Sequence, residues 1–111
     1  MAVSFKQMRN FSSQEWAVVR DTFNAEVSKY ILSFHLAGSG GYDWPNISDK
    51  SIGINGDVAL GMNCESFVLK KDLEGVDSKQ YAFKDCGKPY GVFVKSMVKW
   101  MSEEFPDVIR I

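Results

Sequence analysis

Between Tyr81 and Ile111 the chain reads as a strand, a tight loop, an amphipathic helix and a final strand, and this succession limits the fold more than any other stretch. Apolar residues at Tyr90, Phe93, Val94, Met97, Val98, Met101 and Phe105 keep the three-four spacing that turns one side of a helix toward a core. Lys95, Ser96, Lys99, Ser102 and Glu103 occupy the opposite side. Pro89 suits the first turn, where its missing N–H would have had no partner, and Pro106 stops the helix. Val108, Ile109 and Ile111 then favour an extended segment. Upstream, Tyr81-Ala82-Phe83-Lys84-Asp85 alternates as a strand with one buried face does. Strand, helix and strand within about 31 residues is the length of a βαβ unit, so the two strands are predicted to run parallel if they share a sheet.

The N-terminal third carries a second helix signal. Ser12-Ser13-Gln14-Glu15 is a capping box, and Trp16, Val19, Phe23, Val27, Tyr30, Ile31 and Phe34 hold helical spacing behind it. The longest match predicts one helix of roughly 22 to 25 residues, reaching toward Gly38. A competing reading breaks it near Asn24, because Tyr30, Leu32, Phe34 and Leu36 also alternate. Residues 1–11 hold Val3, Phe5, Met8 and Phe11 without a clear period and read as a short lead-in.

Ser51-Ile52-Gly53-Ile54 reads as a strand followed by an Asn55-Gly56 turn. The return strand is either Val58–Leu60 or the longer stretch from Cys64 to Lys70, which is richer in strand formers. A charged, turn-rich loop from Lys71 to Ser78 leads on to Tyr81. The expectation is a single α+β domain over residues 1–111, with a mixed sheet of about four strands and helices packed mainly on one face.

Ile54-Asn55-Gly56, then Cys64-Glu65-Ser66-Phe67, then Lys88-Pro89-Tyr90 at a helix start together resemble a group of small uncharacterised bacterial and phage-type α+β proteins. The resemblance spans residues 52–111 and implies no activity. Gly91 stands where that group tends to carry an acid, and the loop before Lys88 is shorter here.

Charge and cysteine content narrow the function classes. Thirteen Lys and Arg against 14 Asp and Glu leave no basic surplus, which argues against a general nucleic-acid binder. The opening Met-Ala-Val-Ser-Phe-Lys has no apolar run suited to a signal peptide or membrane span, so a cytosolic protein is expected, with Cys64 and Cys86 as free thiols. Two Cys and His35 are too few for a structural zinc site, and no cofactor is expected.

Candidate sites follow from local chemistry. Asp85-Cys86-Gly87-Lys88-Pro89 enters a helix N-terminus, where free N–H groups, the dipole and Lys88 could hold an anion or activate the Cys86 thiol. His35 could serve a cysteine as base, although a helix-end histidine is more often a dipole partner. Gly38-Ser39-Gly40-Gly41 lacks the Gly-Lys-Ser/Thr of a phosphate loop. Asp43, Asp49, Asp57 and Glu65 match no calcium-loop spacing. Tyr42 and Trp44 are large aromatics in a glycine-flanked loop, and Trp100 with Val92 lies off the apolar stripe of the last helix. Such residues are the usual anchors of protein contacts.

No catalytic signature is present, so the expected function is a small non-catalytic protein-binding module, a regulator or inhibitor of another protein, using Tyr42, Trp44 and Trp100. Its partner is another protein, not nucleic acid or membrane. The alternative is an anion or phosphate-ligand binder, or a thiol-dependent enzyme, at Cys86 to Tyr90.

Overall fold

Val3, Phe5 and Gln7 point one way and Ser4 and Lys6 the other, which makes residues Ala2–Gln7 a strand (β1) with one buried face. The computed structural model describes residues 2–111, and β1 is the central strand of its first sheet. The lead-in expected at this end is therefore corrected to a core strand. Along one edge β1 pairs antiparallel with Lys79–Lys84, setting Val3 beside Phe83 and Phe5 beside Tyr81. Phe5 and Tyr81 stack with ring centroids 4.7 Å apart. Along the other edge it pairs antiparallel with Ile109–Arg110.

Between these partners lies the helix Pro89–Glu104, within a residue of its predicted limits. Its flanking strands both oppose β1, so they run parallel to each other as expected, but with β1 between them.

The first helix, Ser13–Tyr30 (α1), has both arms of its capping box formed and buries Trp16, Val19, Phe23 and Val27. Arg9 ties its start to the far end of the chain, bonding Glu15 at 2.9 Å and Asp107 at 2.7 Å. The Arg9 hydrogen bond holds the Glu15 carboxyl down at about 2. The helix stops short of the predicted Gly38. His35 takes a left-handed backbone conformation, φ +53°, and turns the chain into a two-residue strand, Leu36–Ala37 (β2). Neither of the two sequence readings found that turn.

Asn46–Ile47 (β3) and Ser51–Gly56 (β4) come next, then a 3₁₀ turn at Val58–Leu60 and the strand Phe67–Lys70 (β5). The longer of the two return-strand candidates is thus the one used, and β4 pairs antiparallel with β5, β3 and β2. Asn55-Gly56 belongs to β4 and is not a hairpin turn. The Asn55 side chain is buried and fully engaged, accepting from the Gly56 and Cys64 amides and donating to the Cys64 carbonyl and Ser66 hydroxyl. Gly56 is required by proximity, since a Cβ there would lie 1.7 Å from the Met62 carbonyl oxygen.

With Lys79–Lys84 (β6), Pro89–Glu104 (α2) and Ile109–Arg110 (β7) named in chain order, the α+β class stands, its strands divided between two sheets. Phe67 of β5 joins them. Its ring lies about 6 Å from Phe5 and Phe83 of the first sheet and stacks on Phe23 of α1. Truncating Phe67 to Ala should cost about 3–5 kcal/mol, with denaturant unfolding as the measure. A midpoint close to that of the parent protein would show that the sheets do not depend on this ring.

Candidate functional site

The sequence candidates fall in three places. Tyr42 and Trp44 occupy a loop whose backbone is closed on itself. The Gly38 amide bonds the Tyr42 and Asp43 carbonyls at 3.1 and 3.2 Å, Gly41 donates to the Gly38 carbonyl, and Asp43 adopts φ +61°. Asn46 accepts from the Ser39 amide and hydroxyl, and the Ser39 carbonyl accepts from the Ser66 hydroxyl. Val58 donates to the Gly41 carbonyl, seating the 3₁₀ turn beside the loop. From this braced frame Tyr42 projects 63 % exposed and Trp44 51 % exposed, and the adjoining turn adds Leu60 at 56 %. The amides of Gly38, Ser39 and Gly41 all have partners, which leaves them unavailable to cradle a phosphate.

Trp100 stands elsewhere. It is half-buried, its ring edge-on to Phe105 at 6.0 Å, and it lines a groove of about 430 Å³ between the two helices with Tyr30, Phe34, Val92 and Phe93. Trp100 is therefore a groove wall and not a free aromatic like Trp44, whereas Val92 is exposed there.

Cys86 and Lys88 lie at the start of α2, and here the structure corrects the free-thiol expectation: Cys64 and Cys86 form a disulfide, with Cα atoms 6.0 Å apart. The expectation rested on a reducing cytosol, whereas the fold brings the two cysteines together from opposite sides of the junction between the sheets. Closing a loop across a separation of 22 residues stabilises by about 3 kcal/mol in the chain-entropy account. Among the described residues no helix is long and apolar enough to cross a membrane.

Junction chemistry surrounds the bridge. The Glu65 amide donates to the Lys84 carbonyl at 3.1 Å, and the Lys84 amide returns to the Glu65 carboxylate at 2.7 Å. The Tyr90 hydroxyl donates toward the Glu65 and Lys84 carbonyls. Burial, with Asp85 and Glu65 nearby, pushes that hydroxyl up to about 12.

Asp85, which the sequence reading placed in the candidate loop without giving it a role, is a buried polar residue of this site. Its carboxylate accepts from the Gly87 amide at 2.9 Å and lies 3.4 Å from the Lys95 ammonium. Gly91 admits it, because a Cβ there would fall 2.0 Å from the Asp85 carboxylate oxygen. The place that an anion would take beside the first turn of α2 thus already holds a carboxylate. Lys88 is the N-cap residue of that helix and makes no side-chain cap.

His35 donates its amide to Leu32 and accepts from the Asp57 amide through its carbonyl, a structural role at the turn into β2. Asp49 pairs with Arg20, Asp57 caps the 3₁₀ turn, and Glu65 holds Lys84. Among the described residues no three of His, Cys, Asp and Glu are grouped to share a metal ion.

No protein-family model, curated protein or solved structure matches this chain.

Burial pushes the Asp85 carboxyl up, but the Gly87 amide and the Lys95 ammonium outweigh it and hold the group below the usual carboxylate range. A depressed folded value contributes stability above the unfolded value, about 3.9, and loses it as pH falls through the folded one. Thermal unfolding between pH 5 and pH 2 should therefore show a steeper acid decline in the parent protein than in Asp85→Asn. Parallel acid profiles would remove Asp85 from this role.

Proposed function

We propose that this chain is a small non-catalytic protein-binding module, a regulator or inhibitor of another protein, whose contact residues are Tyr42 and Trp44. One observation carries this reading: two large aromatics stand exposed on a loop that is braced at Gly38, Ser39, Gly41 and Asn46. An anchor held in place before binding loses little conformational freedom on association, so more of its contact energy appears as affinity. Tyr and Trp are also the side chains that most often dominate interface energetics. Leu60, on the neighbouring turn, is a further exposed apolar side chain.

Two further points favour this reading over an anion site. The near-neutral charge offers no field for a polyanion, and the Asp85 carboxylate lies where an anion would meet α2. Trp100 is set apart from the proposed contact because it packs on Phe105 in the interhelical groove.

Affinity capture from the source cell, with mass spectrometry of the retained protein, identifies the partner. Calorimetry then compares variants against it. Trp44→Ala and Tyr42→Ala should each weaken binding about thirtyfold or more, equivalent to about 2 kcal/mol. Both should leave the melting temperature close to that of the parent, since neither ring is buried. Lys88→Ala and Trp100→Phe should change affinity by less than about threefold, as residues outside a hot spot do. Strong dependence on Lys88 with indifference to Trp44 would transfer the site to the start of α2.

A further inference from the structure

We propose that Cys64 and Cys86 form an exchangeable disulfide, a site that accepts electrons from a dithiol reductant while the surrounding fold persists. The proposal stands independently of the Tyr42 and Trp44 contact. It rests on an asymmetry between the two cysteines and on polar groups that hold each one in place without the bridge.

Cys86 is exposed, in a left-handed conformation at φ +55°, two residues before the N-cap of α2. Cys64 is half-buried and packs against the hydrophobic core. An incoming thiolate therefore meets Cys86 first. Attack at its sulfur forms a mixed disulfide with the reductant and breaks the Cys64–Cys86 bond. The electron pair leaves on the Cys64 sulfur, which takes a proton from solvent. The reductant's second thiolate then attacks its own mixed-disulfide sulfur and releases Cys86 as a thiolate. The reductant ends as a disulfide, having lost two electrons, and the protein ends as a dithiol. The N-terminal end of α2 and the Lys88 charge both favour the Cys86 thiolate, the better leaving group in that second step.

The backbone around both cysteines is held by hydrogen bonds besides the bridge. The Asn55 side chain binds the amide and the carbonyl of Cys64, each at 3.0 Å. Asp85 holds the other side through the Gly87 amide at its carboxylate and the Lys88 amide at its carbonyl, both at 2.9 Å. The Glu65–Lys84 hydrogen bonds and the Tyr90 hydroxyl span the junction between them. After reduction the two thiols should stay within reach of each other and re-form the bridge.

The protein is treated with dithiothreitol under native conditions, quenched with iodoacetamide at intervals, and followed by mass spectrometry, circular dichroism and thermal melting. Both cysteines should become alkylated in a protein that keeps its native spectrum and a cooperative transition, lowered by roughly 10–20 °C. Peptide mapping of the singly alkylated product that carries no reductant adduct, in which both thiols were free, identifies the more reactive thiol, which should be Cys86. Glutathione disulfide should modify the Cys64→Ser variant at least tenfold faster than Cys86→Ser. If a variant does not fold, the mapping of the parent protein decides alone. A bridge that opens only in denaturant, a reduced protein without a cooperative transition, or preferential modification of Cys64 would each overturn the proposal.

Discussion

The buried Tyr90 hydroxyl, donating toward the carbonyls of Glu65 and Lys84, is where three parts of the molecule meet, because those carbonyls precede β5 and end β6 while the tyrosine belongs to the first turn of α2. A phenol can reach a carbonyl from each sheet only if the strands approach and the helix starts at one fixed height. The backbone pairing of Glu65 with Lys84 supplies the approach. Gly91 and Asp85 supply the height, because the carboxylate fills the space that a side chain at Gly91 would need. The second tyrosine of the junction, Tyr81, lies toward its other end, accepting from the Lys70 amide at 3.4 Å and donating to Gln7 at 2.9 Å. Phe67 fills the interval with apolar surface. The two sheets are thus joined largely by side chains, and the quality of that joint sets how firmly everything beyond it is held.

Local signals in the sequence were legible where the determinant is local. The Ser12–Glu15 capping box and the stripe from Tyr90 to Met101 depend only on residues a turn apart, and both helices formed from them. β1 was harder to see because Gln7 takes a core position as a satisfied polar group, and a pattern of apolar residues alone does not count it. Val3-Ser4-Phe5-Lys6 did alternate, and a period-two reading extended through Gln7 would have found the strand. Asn55-Gly56 misled for the opposite reason. The pair is a strong turn signal in isolation, but a buried asparagine with partners on Ser39, Cys64, Ser66 and Gly56 is held in a strand by groups up to 16 residues away. The disulfide was unreadable for the same cause, since 22 residues separate its ends and only the assembled junction brings them together. For the candidate sites, composition picked out Tyr42 and Trp44, but exposure distinguished them from Trp100.

Rigidity and exposure are linked in this molecule by the same residues. Ser39 sits in the aromatic loop, yet its carbonyl is gripped by Ser66 and Asn55, the latter of which also holds both backbone groups of Cys64. A continuous chain of hydrogen bonds therefore runs from the disulfide through Asn55 to the loop that bears Tyr42 and Trp44. It follows that the loop's order and the state of the junction are not independent quantities.

β1 has a further meaning for how the molecule comes into being. Its partners are residues 79–84 on one edge and 109–110 on the other, so the innermost strand of the first sheet closes entirely across long stretches of chain. During synthesis β1 is made before either of its partners, so Val3 and Phe5 stay uncovered until residues 79–84 and 109–110 have followed. α1 can form early on its own cap, but it has no finished sheet to lie on. Closure of the first sheet consequently waits for residues 109–110, and a nascent chain held back before them presents an apolar, unpaired strand to whatever else is nearby.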